Sequence, residues 1–159
     1  MLQQQKLVLG AVSAAAGFQY WKLNITAITG GANVALTLIE LKSGGVNQIP
    51  AMTSNTAPSP NVITFTAETS NKAFHAVDQN AGTFGWAPSF VNPTFWMINF
   101  GAGNKITADT LVLRNHTSTP DLSPSDFTLQ VSNDGVSFTT VLTVSGQSWS
   151  ANQTITYTF

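Results

Sequence analysis

Phe127, Leu129 and Val131 alternate with Thr128, Gln130 and Ser132, and the run stops at Asn133-Asp134-Gly135. Side chains along a strand point to opposite faces in turn, so this period of two predicts a strand that buries one face and wets the other. The Asn-Asp-Gly triplet tolerates positive φ and predicts a hairpin turn, with the chain returning over 136–144. The pattern recurs along the chain. Residues 20–28 alternate large apolar with polar side chains and end in the turn cluster Thr29-Gly30-Gly31-Ala32-Asn33. Residues 34–42 follow and stop at Ser43-Gly44-Gly45; these two strands read as a hairpin. Further strands are expected over 62–67, 94–100, 105–114 and 154–159. The stretch 48–61 carries Pro50, Pro58 and Pro60 and reads as an irregular loop. Residues 71–78 could form one helical turn capped by Asn71. About eight short strands separated by turns, with no long amphipathic helix, predict an all-β, antiparallel, jelly-roll-like sandwich.

Composition narrows what such a sandwich could do. The chain has 159 residues, enough for a single domain with a sizeable core. Charged residues are 8% of it, against roughly 25% in an ordinary soluble domain. The formal net charge is -1 and the basic residues do not cluster, so no electrostatic footprint for nucleic acid exists. Polarity comes instead from uncharged groups, including 21 threonines, which suit pleated, half-buried surfaces. Cysteine is absent, which excludes disulfides and thiolate metal sites. The opening MLQQQKLVLGAVSAAAG loosely resembles a secretory signal, but its apolar run is short and broken by Gly10. It reads instead as an N-terminal arm over residues 1–17, docking on this domain or on a neighbouring subunit, ahead of a sandwich domain over 18–159. No stretch approaches the roughly 20 apolar residues of a membrane span.

Catalysis finds little support. Glycoside hydrolysis needs paired carboxylates, yet the seven acids are scattered, and Asp121 and Asp126 read as solvated loop residues. Gly101-Ala102-Gly103 precedes no helix and is a turn, not a phosphate loop. No nucleophile-elbow motif accompanies the serines. The expectation is a non-enzymatic protein.

Several segments resemble the discoidin, or coagulation factor 5/8 type C, group of galactose-binding-like domains. Ala76-Val77-Asp78-Gln79-Asn80, followed by Thr83 and Trp86, is similar to its Ala-x-Asp-Gly-Asn…Thr…Trp element. Phe95-Trp96-Met97-Ile98-Asn99-Phe100-Gly101 resembles its tryptophan strand ending in Asp-Phe-Gly. The stretch from Asp126 to Phe138 is similar to its Phe-x-Leu-x-x-Ser-x-Asp-Gly-x-x-Trp segment. Tyr20-Trp21-Lys22-Leu23 and Leu38-Ile39-Glu40-Leu41 resemble strands that usually close this fold at its C-terminus. Here they come first, an order resembling a circular permutation met in virion proteins of tailed bacteriophages. Four departures stand out: Gln79 for the turn Gly, Asn99 for Asp, Phe138 for Trp, and Leu38 where a calcium-binding Glu is common.

The resemblance implies two sites, each weighed against a structural reading. Asp78, Asn80 and Thr83 would contribute oxygens to a structural calcium; with one carboxylate present, a metal-free Asx loop accounts for the same residues. Trp86, Phe84 and Phe90 would stack on sugar rings, with Arg114, Asn115 and His116 as convergent polar groups. For Trp86, as for Trp96, the large apolar area favours the core instead, and His116 reads equally as a solvated loop residue. The functional expectation is a virion component of a tailed phage, located in tail, fibre or capsid decoration. It would contact other virion proteins or copies of itself, with host cell-surface glycan as a further candidate partner. The alternative is an extracellular lectin-like carbohydrate-binding module.

Overall fold

The computed structural model describes residues 17–80 and 85–159; all but the last residue of the expected arm over 1–17 lies outside them, as do Thr83 and Phe84. Nine strands are present among the described residues: β1 Tyr20–Ile28, β2 Leu36–Ser43, β3 Val46–Asn47, β4 Val62–Phe65, β5 Thr94–Asn99, β6 Thr110–Asn115, β7 Pro124–Ser132, β8 Thr139–Val144 and β9 Thr154–Thr158. They form two antiparallel sheets, one ordered β4-β5-β1-β7-β8 and the other β3-β2-β6-β9. The expected all-β sandwich is therefore the observed fold.

Strand β1 shows how sequence becomes core. Trp21, Leu23 and Ile25 are buried, while Tyr20, Lys22 and Asn24 between them face outward. Trp21 pairs with Ile98 and Val131, Leu23 with Trp96 and Leu129, and Ile25 with Thr94 and Phe127. Each inward residue of β1 thus stands in a row of buried side chains contributed by three strands. The opposing sheet presents Ile39, Leu41, Leu111, Leu113 and Tyr157. Phe127 and Tyr157 meet edge to face across the interior, 5.4 Å between centroids, a favoured aromatic geometry.

Two local expectations are corrected. β1 and β2 are not a hairpin: β1 pairs with β5 and β7, whereas β2 pairs with β6 and β3 in the other sheet. Both strands bury an apolar face, and facing each other across the core does that as well as lying side by side would. Asn71 is not a helix cap: a 3₁₀ turn occupies Ala73–Ala76, and its cap position, Lys72, makes no side-chain capping bond. Glu68 organises this turn instead, accepting from Asn55 Nδ2 at 3.0 Å, the Ala73 amide at 3.1 Å and Lys72 Nζ at 3.0 Å. Burial works to raise the Glu68 carboxyl pKa, and these three donors outweigh it and hold the group below the usual carboxylate range.

The β7–β8 hairpin forms as expected, although its strand restarts at Thr139. Asp134 takes the Val136 and Ser137 amides and the Ser132 hydroxyl, all at 2.8 Å, which depresses its pKa to about 2. Outside this sheet, Lys22 lies over the rings of Phe95 and Phe138, 5.0 and 5.1 Å from their centroids.

Candidate functional site at one end of the sandwich

Four chain-distant segments converge where the sheets end. The β1–β2 connection is held by Thr29, whose hydroxyl donates to Pro120 O at 2.8 Å, and by the Ala35 amide, which donates to Leu122 O at 2.8 Å. The segment that begins at Gly85 meets β2 through two reciprocal bonds: Trp86 N–H to Leu36 O at 2.9 Å, and Leu36 N–H to Trp86 O at 3.0 Å. That crossing requires Gly85. Its φ is +69°, and a Cβ there would lie 2.0 Å from Leu36 O and 2.5 Å from Thr37 Cα. Only glycine lets the backbones approach so closely. The third segment is joined by Thr69, whose hydroxyl donates to Ala87 O at 3.1 Å.

Between these segments lies a cleft of about 290 Å³ lined by Asn33, Ala35, Thr69, Asn71, Ala87, His116, Thr119 and Leu122. The lining combines two amides, two hydroxyls and one imidazole with small apolar groups, and carries no carboxylate, ammonium or guanidinium. His116 is oriented by its own loop. Its Nδ1 accepts from the Ser118 amide at 3.3 Å and stands 2.9 Å from Thr119 Oγ1.

The residues expected to bind glycan divide sharply. His116 lines the cleft. Asn115, one residue earlier, is fully buried and shapes the site from below. Its Nδ2 donates to Ser123 Oγ at 3.1 Å and to Ser150 O at 2.9 Å, while its Oδ1 accepts from the Gln153 amide at 2.7 Å. Its amide is spent on joining the β6–β7 and β8–β9 connections, so Asn115 is corrected from a ligand contact to a positioning residue. Arg114 is not among the lining residues; its Nε donates to Asn152 Oδ1 at 3.1 Å.

Trp86 is also corrected: it is 0% exposed, and its Nε1 donates to Ala67 O at 3.0 Å. A ring with no exposed face cannot stack on a sugar. The core reading of Trp86 is the one observed, as it is for Trp96, whose Nε1 donates to Ala73 O at 3.1 Å. Phe90 is half-buried and packs against the core without lining the cleft. Phe84 lies outside the described residues.

Sequence reading missed Asn33, Thr69, Asn71 and Thr119. Each sits in a polar turn with no distinguishing local signal, and only the sheet topology brings these turns together.

At the calcium candidate, Asp78 Oδ1 accepts from the Asn80 amide at 2.8 Å, closing an Asx turn. Thr83 lies outside the described residues, and among those described no three His, Asp or Glu gather as a metal cluster. Asp78 and Asn80 bring one carboxylate and one amide, and the six to eight oxygens that calcium takes include backbone carbonyls and water.

An antiparallel two-sheet sandwich with a buried tryptophan strand and an Asp-Gly hairpin is a discoidin-like fold. The chain belongs to the F5/8 type C domain family, whose model matches residues 53–159. No curated protein and no solved structure matches the chain. No helix among the described residues is long and apolar enough to cross a membrane.

Proposed function

We propose that this protein is a non-enzymatic binding module whose loop-end cleft receives an uncharged, hydroxyl-rich ligand, most simply a cell-surface carbohydrate. The observation that carries this reading is the lining. Hydrogen-bonding groups of Asn33, Thr69, Asn71, His116 and Thr119 converge around Ala35, Ala87 and Leu122. A few convergent polar groups set in an apolar surround are what orients a small ligand. No ammonium or guanidinium lines the cleft, which weighs against carboxylates and phosphates, because a desolvated anion needs a paired cation.

A glycan array followed by isothermal titration with the best saccharide tests this. Asn71→Ala and Thr119→Ala are each expected to weaken binding about three- to tenfold, the worth of one neutral hydrogen bond, with the fold unchanged by circular dichroism. If no saccharide binds at millimolar concentration, the carbohydrate reading is lost.

A second reading, a virion subunit of a tailed phage serving assembly, is supported by the element order. The matched family region begins at residue 53, while β1, supplied from before it, occupies the centre of the five-stranded sheet. The low charge, 8% of residues, is in keeping with surfaces packed against other subunits. In that setting the cleft would serve host-surface contact and the flanks of the sandwich would serve assembly.

A further inference from the structure

The edges of the two sheets are unequally protected. β4 is four residues long and follows Pro58 and Pro60. β3 is two residues long. β8 is bulged, since its pairing with β7 jumps from Leu129↔Leu142 to Gln130↔Thr140 and leaves Val141 unopposed. Short length, proline and bulges are the devices by which proteins keep edges from pairing. β9 has none of them. It runs from Thr154 to Thr158 in unbroken register with β6, and residues 153–159 contain neither proline nor any charged side chain.

The register shows which backbone groups are open. The Asn115 amide donates to Gln153 O, and the Phe159 amide donates to Asp109 O, each at 3.1 Å. Bonding alternates along an antiparallel strand. Residues 153, 155, 157 and 159 therefore direct their backbone groups to β6, while Thr154, Thr156 and Thr158 direct theirs away from the sheet. Their side chains are exposed, whereas Ile155 is half-buried and Tyr157 buried.

We infer that β9 is a docking edge for a second copy of this chain, pairing antiparallel with its own counterpart about a two-fold axis through Thr156. The sequence Thr-Ile-Thr-Tyr-Thr is near-palindromic about that residue. Thr156 meets Thr156 of the second copy, and Thr154 meets its Thr158, each pair exchanging both N–H···O=C bonds from the open groups. On the core side, Ile155 faces Tyr157 of the other copy. Threonine–threonine and aromatic–β-branched cross-strand pairs are favourable, and no like charges oppose each other. A two-fold interface must be self-complementary, as this strand is. The two four-stranded sheets become one continuous sheet, and the antiparallel pairing sends the two clefts toward opposite ends. This inference goes beyond the ligand reading and does not depend on it.

A contact this short belongs to the weak class of interface, so sedimentation velocity of the full chain is run up to about 200 µM, where affinities of that class register. A concentration-dependent dimer is expected. Thr156→Lys sets like charges directly opposite each other and is expected to weaken dimerisation at least about tenfold without altering the circular dichroism. Because the chain has no cysteine, register can be read directly. Thr156→Cys is expected to cross-link on mild oxidation, since directly opposed Cα atoms lie about 5.5 Å apart. Thr158→Cys is not, because its own counterpart would be about 14 Å away along the strand. A monomer throughout the concentration range, equal cross-linking by both variants, or a dimer that survives Thr156→Lys and is lost only on deleting residues 1–16, overturns the inference.

Discussion

Three of the four departures from the family pattern take up definite local roles. Gln79 stands where a turn glycine is usual, and it holds the glycine-like conformation at φ 59°, with its Nε2 donating to Ile49 O at 3.2 Å. Asn99 stands for an aspartate, and its Oδ1 still accepts from the Gly101 amide at 2.8 Å, closing the turn after β5. Phe138 stands for a tryptophan, and Lys22 Nζ lies over its ring, 5.1 Å from the centroid. Asp134, which matches the pattern, shows what a turn carboxylate does for the fold. Its folded pKa of about 2 lies below the ordinary value of 3.8, so the charged form is favoured by folding. That contribution is complete above pH 3.8 and is lost as the pH falls toward about 2. Asp134→Ala is therefore expected to lower Tm at pH 7, and the gap to wild type should close as thermal melts are taken from pH 4 down to pH 2. A gap that stays constant over that range would mean the carboxylate charge plays no part.

At the level of elements, the cleft depends on a crossing that no side chain could replace. The segment carrying Trp86 reaches β2 only because Gly85 lets two backbones touch. Gly85→Ala would combine a positive φ with overlap against Leu36 O and is expected to cost about 3 kcal/mol or more in denaturant unfolding. Ligand affinity would fall with it, since Ala87 and the Thr69 bond hang from the same segment. Nothing local to Gly85 in the sequence tells of its closeness to β2. The same gap explains the misread hairpin. Alternation in 20–28 and 34–42 specifies that each strand has one apolar face, and leaves open which neighbour lies beside it. The Asn-Asp-Gly turn was legible because its constraint is local: the conformation it favours already returns the chain on itself.

For the whole molecule, the family region and the folding unit do not coincide. The match covers 53–159, yet β1 lies between β5 and β7 at the middle of the larger sheet. Without it, Ile98, Trp96, Leu129 and Val131 lose the Trp21 and Leu23 rows that separate them, and two further strand edges open. A fragment spanning residues 53–159 is expected to show no cooperative thermal transition, whereas residues 17–159 melt as one unit by circular dichroism. Cooperative melting of the shorter fragment would show that β1 is an accessory strand.

The sequence by itself determined the class of fold, because strand periodicity, turn residues and low charge are local properties whose consequences do not depend on distant partners. It also determined that Trp86 and Trp96 favoured burial, since so large an apolar surface gains most by leaving water. Tertiary structure alone decided the rest: that β1 and β2 belong to different sheets, that Asn115 serves as a hidden brace, and that Asn33, Thr69, Asn71, His116 and Thr119 share one cleft. The physical reason is range. A side chain's preference for core or solvent is written in its own neighbourhood, whereas a binding site is built from turns far apart in the chain, and only the order in which strands pair can bring them together.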